Sequence, residues 1–205
     1  MSVQLILFLF FIIGCSTPIK NVSTANIPLT VKKYGFLQNS YISCTGSGKI
    51  DSKGPFSGEL KFKYMSQNDS SFMQFKDFLG RKALLMWLTP DEVIAWNIIE
   101  NKKYNYDQIL EFFPIFTFFN SNDMTQFLWG AQPILKNFAK NNSVENNKDL
   151  SLQFKTGYID QNPLSLISAT FRDLDSNQYL KIEIEKRIHH KTVLNIGELW
   201  NLIQS

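Results

Sequence analysis

The most restrictive feature of the sequence is a period-two alternation of apolar and polar residues that recurs along the chain after Cys44. Leu60, Phe62 and Tyr64, for example, alternate with a glutamate and two lysines. Because successive side chains of a strand point to opposite faces, this pattern predicts a half-buried strand. The same interpretation applies to six further segments that turn-forming clusters separate: residues 72–75, 84–88, 93–98, 150–154, 166–171 and 179–188. Seven or more strands in near-hairpin succession predict an antiparallel meander.

A helical insertion is predicted between the two runs of strands. Residues 106–113 and 122–129 carry apolar residues at helical spacings. Asn122 or Asp123 is predicted to cap the second helix at its amino end, and Gly130 to terminate it. The expected fold class is therefore mainly β with α (α+β), with the helices gathered on one face of a curved antiparallel sheet.

The helical insertion is rich in aromatic residues. It contains Phe112, Phe113, Phe116, Phe118, Phe119, Phe127 and Trp129. Two interpretations stay open, because these rings can form an ordinary core or can line a hollow beneath the helices.

A last helix is predicted for residues 196–203, where Ile196, Leu199, Trp200 and Ile203 share a face.

The first residues have the pattern of a bacterial export signal. Residues 5–13 form an uninterrupted apolar run, too short for a bilayer-spanning helix, which needs about 20 residues. The junction Gly14-Cys15 resembles the lipobox of bacterial lipoproteins, in which the cysteine becomes the acylated amino terminus. The amino end departs from the usual pattern because it lacks Lys and Arg. A chance apolar start with a buried cysteine is the alternative interpretation.

These features divide the chain into three parts. Residues 1–14 are the predicted signal peptide, residues 15–40 the lipidated Cys15 and its tether, and residues 41–205 the folded domain. With Ser16 rather than Asp after the cysteine, the sorting rule of enteric lipoproteins implies a lipid anchor in the outer membrane, on its periplasmic face. Several acyl chains hold a protein on a membrane stably, so the protein is expected to be anchored rather than spanning.

The sequence contains no familiar catalytic or metal-binding motif. The adjacent His189 and His190 point to opposite faces of a predicted strand, so they cannot form a joint ligand pair. Residues 45–49, Thr-Gly-Ser-Gly-Lys, lack the first Gly and the final Ser or Thr of a phosphate loop. Cys44 is expected to pack as a small strand residue. We therefore expect no enzyme, cofactor or metal, although distant catalytic groups can converge in a fold.

Charge does not select the partner either. The 21 basic and 18 acidic residues are dispersed and leave a net charge of +3, so no binding to nucleic acid is expected.

Four short stretches, residues 48–50, 56–60, 75–82 and 128–130, resemble the LolB family of outer-membrane lipoproteins and its soluble relatives of the LolA type. The order of a Gly-led hairpin, a Leu-Gly turn, a helical insertion ending in Leu-Trp-Gly and late strands follows that family over residues 42–188. The resemblance implies a half-barrel sheet closed by a helical lid, with an apolar cavity for acyl chains.

The resemblance also implies functional residues. Phe112, Phe116, Phe127 and Trp129 are the expected cavity lining. Phe78-Leu79-Gly80 is the expected membrane-insertion loop, with Leu79 at the position of the protruding apolar residue that delivers lipoprotein cargo. The alternative is that both side chains fold back under the sheet, although neighbouring turn residues cannot both point inward easily.

Two functions of different classes follow. One is a monomeric protein that binds the acyl chains of lipoproteins, receives them from a LolA-type carrier and takes part in lipoprotein localisation in the outer membrane. The other is an envelope lipoprotein of the same fold that serves as a structural or docking subunit without lipid transfer.

Overall fold

The structure is a computed structural model that describes the chain in six segments: residues 31–54, 57–117, 119–133, 150–159, 164–174 and 176–204. The predicted signal peptide, Cys15 and Phe118 lie outside the described residues. Within them, no helix is long and apolar enough to cross a membrane.

Nine antiparallel strands form one open, curved sheet, which confirms the predicted mainly β fold class. The strands are β1 (Ser43–Lys53), β2 (Gly58–Gln67), β3 (Ser70–Lys76), β4 (Lys82–Leu88), β5 (Val93–Asn97), β6 (Lys102–Tyr104), β7 (Leu150–Gly157), β8 (Ser165–Asp173) and β9 (Gln178–His190). Each of the seven predicted segments lies in one of these strands or extends it by one residue.

The strand order is β6-β5-β4-β3-β2-β1-β9-β8-β7, which differs from the predicted meander. β1 lies in the middle of the sheet, between β2 and β9, rather than at an edge. The helical insertion explains the difference, since it separates β6 from β7 along the chain and lets β7 begin at the other edge of the sheet.

The helical insertion packs on one face of the sheet, called here the inner face. It consists of α2 (Tyr106–Phe112), a short 3-10 helix (Pro114–Thr117) and α3 (Ser121–Leu128). Asn120, not Asn122 or Asp123, caps α3: its side chain accepts from the backbone N–H of Asp123, and the Asp123 carboxylate accepts in return. The cap lies upstream of the predicted positions because the Asp123 carboxylate pairs with the residue three positions before it, which is Asn120. Gly130 ends the helix at φ +81°, as predicted.

Two further helices flank the sheet. α1 (Tyr34–Ser40) lies in the segment predicted as a tether. Leu37 of this helix and the preceding Val31 are buried in the inner core, so the folded part begins before the predicted boundary at residue 41. α4 (Ile196–Gln204) coincides with the predicted last helix. It covers a second apolar cluster on the outer face of the sheet, formed by Phe72, Leu85 and Trp87 with Ile196.

The glycines of residues 45–49 serve the sheet rather than a phosphate. A Cβ on Gly46 would lie 2.4 Å from the ring of Tyr64, and a Cβ on Gly48 would lie 2.7 Å from the ring of Phe62. Both rings therefore cross β1 at positions that only glycine leaves open. This arrangement shields the bare strand and brings the Tyr64 hydroxyl beneath α3.

A bulge in β9 decides which of its residues face inward. Up to Ile184, the even-numbered apolar residues lie in the inner core. The register against β1 then shifts between Ser47 and Gly48, and an extra residue reverses the alternation. Arg187 and His189 therefore point inward, whereas His190 points outward and bonds to Thr45 Oγ1 at 2.8 Å. The two histidines lie on opposite faces, as predicted.

Candidate functional site

Most of the rings predicted to line a cavity are packed in the core. Phe116, Phe127 and Trp129 are fully buried, and the side chain of Phe112 lies outside the described part of the chain. The indole Nε1 of Trp129 donates to Ser66 Oγ at 2.7 Å, and the ring of Tyr34 meets the indole edge-on at 5.4 Å. Phe116, Phe127 and Trp129 hold the helical insertion on the sheet. That they line an acyl cavity stays a prediction.

The carboxyl end of α3 is fastened by a buried arginine. Arg187, 1% exposed, donates from Nε to Leu128 O at 2.7 Å and from Nη2 to Phe127 O at 3.2 Å. It also donates from Nη2 to Leu166 O at 2.8 Å and from Nη1 to Ser165 Oγ at 2.9 Å. A cation suits this position because the last carbonyls of a helix carry partial negative charge.

Tyr64 and His189 also bind carbonyl groups at the carboxyl end of α3. The Tyr64 hydroxyl donates to Leu128 O at 2.9 Å, and His189 Nε2 lies 3.1 Å from Trp129 O. The carbonyl can only accept, so Nε2 carries the proton. Burial lowers the pKa of His189 to about 4, because it disfavours the charged imidazolium. The hydrogen bond to the Trp129 carbonyl raises the pKa but is the smaller effect. The imidazole is therefore neutral at pH 7.

The free energy of unfolding is expected to fall as the pH drops from 6.5 to 4. Over this range the unfolded chain takes up a proton at His189, with its ordinary pKa of 6.5, while the folded protein resists until about pH 4. Stability present above pH 6.5 is thus lost on acidification, by up to about 2 kcal/mol after solvent screening. Urea titrations across this range measure the loss. His189→Gln keeps a donor for Trp129 O and should flatten the profile; an equal fall in both proteins would assign the loss to other groups.

An apolar hollow of about 480 Å³ opens at one end of the sheet. The turns after β1, β3, β5 and β8 lie at this end, called here the hairpin end. The apolar residues that line the hollow come from seven separate parts of the chain: Ile50, Leu60, Phe78, Ala83, Leu84, Ile99, Phe113 and Leu180. The volume lies within the range of about 300–1,000 Å³ that small-molecule sites occupy.

Several polar groups that border the hollow already have polar partners. Asn97 Nδ2 donates to the hydroxyl oxygen of Tyr104 at 2.6 Å, and the Tyr104 hydroxyl lies 3.4 Å from Glu100 Oε2. Glu59 pairs with Lys49 at 3.5 Å. The described lining contains no Lys, Arg or His. The hollow is therefore suited to an uncharged, apolar group and not to an anionic one.

Asp77 organises the turn beside the hollow. Its Oδ1 accepts from the backbone N–H groups of Leu79 and Arg81 at 3.0 and 2.9 Å, and its Oδ2 accepts from Arg81 Nε at 2.8 Å. Gly80 takes a φ of +79°. Desolvation alone would raise the pKa of Asp77, but these bonds with Arg81 and Leu79 outweigh it and lower the pKa. The carboxylate that holds the turn is thus charged at neutral pH.

The turn presents two large apolar side chains to solvent. Phe78 is 89% and Leu79 is 62% exposed, so neither folds back under the sheet. Ile99 and Leu174, in the turns after β5 and β8, are also about 60% exposed at the hairpin end. The hollow therefore opens among exposed apolar tips, an unusual arrangement for a surface that meets only water.

The rest of the described chain offers little reactive chemistry. It contains no group of three or more His, Cys, Asp or Glu arranged for a metal ion. Cys44 is buried, and burial raises the pKa of its thiol to about 12, so it packs as an inert strand residue, as predicted.

Thirteen chains among the solved structures match this chain. A scan against protein families and a search of curated proteins both find no match. A crystal structure of a DUF1329 family protein from Desulfovibrio piger matches with a TM-score of 0.46 and 8% sequence identity. The match covers 78% of this chain and 92% of that one.

Proposed function

We propose that the protein is a lipid-anchored lipoprotein of the outer membrane that binds an acyl chain in the hollow and delivers acylated cargo into the bilayer. The observation that carries this proposal is the opening of an apolar hollow beside the exposed Phe78 and Leu79. Burial of apolar surface supplies the affinity, at about 25 cal/mol per Å². The cargo is the acyl chain of a lipoprotein, received from a LolA-type carrier, as the LolB resemblance implies.

The segment after Cys15 is long enough to let the hairpin end face the membrane that holds the lipid anchor. α1 and the start of β1 lie at the end of the sheet opposite the hairpin end, since Gln38 bonds to Asp69 in the turn after β2. A strand of ten residues such as β2 is about 33 Å long. Sixteen residues lead from Cys15 to Val31 and can extend to about 53 Å. A membrane-anchored Cys15 therefore permits the hairpin end to reach the same membrane.

Acylation of Cys15 is expected to be required for anchoring. Replacement by Ala removes the thiol that carries the lipid, so metabolic labelling with palmitate should disappear and the protein should leave the membrane fraction. Cys44→Ala is the matched control and should label normally, because its thiol is buried. Unchanged labelling of the Cys15→Ala protein would refute the lipobox interpretation.

Leu79→Glu is expected to reduce transfer of a bound lipoprotein into vesicles at least tenfold. An exposed Leu gains roughly 1.5–3 kcal/mol on entering an acyl phase, and a carboxylate opposes entry. Thermal unfolding and acyl binding should change little, because the side chain is exposed.

Val193→Glu is the control for this variant, since Val193 is 71% exposed away from the hairpin end. Normal transfer by Leu79→Glu would leave the turn without this role. A large fall in melting temperature would show instead that Leu79 supports the fold.

A docking function without lipid transfer is the second candidate. The observation that favours it is the dense packing of Phe116, Phe127 and Trp129, which leaves the inner face beneath α3 filled. Native mass spectrometry of the purified protein separates the two functions, because co-purified acyl species support the hollow as a binding site.

A further inference from the structure

A row of lysines crosses four strands on the outer face of the sheet. Lys49 of β1 lies opposite Lys61 of β2, which lies opposite Lys76 of β3, and Lys76 in turn lies opposite Lys82 of β4. The last pairing depends on a bulge between Phe75 and Lys76 that skips one residue of β4. Directly opposed residues of antiparallel strands share a face, so the four side chains project together.

This row is electrostatically unfavourable for the isolated protein. Opposed residues have Cβ atoms about 4.5–5.5 Å apart, and like charges at that spacing destabilise a sheet. Lys49 is compensated, because Glu59 and Glu183 each lie 3.5 Å from its ammonium group. Among the described residues no ion pair involves Lys61, Lys76 or Lys82. Lys61 and Lys82 are exposed and Lys76 is half-buried, and none of the three has a carboxylate partner of its own.

The position of the row indicates what would neutralise it. Lys76 and Lys82 flank the turn that carries Phe78 and Leu79, so cations and exposed apolar tips form one continuous surface. Arg81 of the same turn is already paired with Asp77 at 2.7 Å. Apolar groups that enter an acyl layer beside cations at headgroup level are the combination that binds an anionic membrane surface.

We infer that Lys61, Lys76 and Lys82 bind the phosphates of anionic lipid headgroups while the turn with Phe78 and Leu79 points into the membrane. This orientation directs the hairpin end to the bilayer, and the mouth of the hollow opens at the same end. The inference rests on the proposed function for the meaning of this orientation, whereas binding of the row to anionic lipid is independent of any cargo in the hollow.

Vesicle co-sedimentation tests the inference, with the mature chain carrying Cys15→Ser so that binding does not depend on acylation. The protein should bind vesicles of phosphatidylcholine mixed with phosphatidylglycerol, bind phosphatidylcholine alone weakly, and dissociate at high salt. The triple variant Lys61→Gln, Lys76→Gln, Lys82→Gln should bind the anionic vesicles at least tenfold more weakly, and about a hundredfold if the three contributions add. Its thermal stability should be equal or higher, because like-charge repulsion is relieved.

The matched control replaces three exposed lysines outside the row, Lys33, Lys155 and Lys191, with Gln. It removes the same charge and should bind the anionic vesicles normally. Equal losses in both triple variants would show that binding depends on net charge and not on the row, which would overturn the inference. Wild-type binding without preference for phosphatidylglycerol would also overturn it. Uptake of an uncharged fluorescent fatty-acid methyl ester should be the same in all three proteins. Failure of that uptake alone would count against the proposed function and not against the lysine row.

Discussion

Replacing Arg187 with methionine is expected to lower the free energy of unfolding by about 3 kcal/mol. Methionine fills much of the space but donates no hydrogen bond, so the carbonyls of Phe127 and Leu166 and the hydroxyl of Ser165 lose the bonds in which Arg187 is the donor. A buried polar group without a partner costs about 1–3 kcal/mol. Relief from burying a cation offsets part of this sum.

Urea unfolding measures this effect, and the expected loss is large against a typical total stability of 5–15 kcal/mol. Arg187→Lys is the companion variant. It keeps the charge but lacks the planar fork that reaches Leu128, Ser165 and Leu166 together, so it should lie between the wild type and methionine. A loss below about 1 kcal/mol for methionine would show that Arg187 does not fasten α3.

The strands of this fold are predictable from the sequence because period-two patterning is local. The alternation of Leu60, Phe62 and Tyr64 with polar residues predicts β2 from this segment alone. The order of the strands is not predictable in this way, since the position of β1 beside β9 depends on where the helical insertion returns the chain. α1 also gives no periodic signal, because seven residues with one buried position, Leu37, are too few.

Arg187 shows a different limit of sequence reasoning. It follows a glutamate and a lysine that are both exposed, and its type suggests a solvated strand residue. Only the bulge in β9 turns it inward, and bulges depend on pairing with a neighbouring strand.

Part of the candidate site's geometry is accessible from the sequence. The LolB resemblance points to Phe78 and Leu79, and the structure shows both exposed. The hollow was expected under the aromatic insertion, but its lining among the described residues is mostly aliphatic and comes from the ends of several strands. Ile50, Leu60 and Leu180 carry no sign of this role in sequence, because a strand residue beside a hollow looks like any core residue.

Filling the hollow is expected to weaken acyl binding at least tenfold. Leu60 belongs to the inward-facing set of β2 and lines the hollow. Leu60→Trp adds a ring to that space, whereas Leu60→Met conserves the volume and should bind normally. Because Leu60 is only partly buried, we expect the free energy of unfolding of both variants to stay within about 1.5 kcal/mol of the wild type.

Titration of an uncharged fluorescent acyl probe, a fatty-acid methyl ester, into the mature Cys15→Ser chain and these two variants tests the central claim most directly. The account predicts saturable binding of one probe per chain for the wild type and Leu60→Met, and at least a tenfold loss for Leu60→Trp. Absence of saturable binding by the wild type, or equal binding by all three proteins, would contradict the assignment of the hollow as an acyl site.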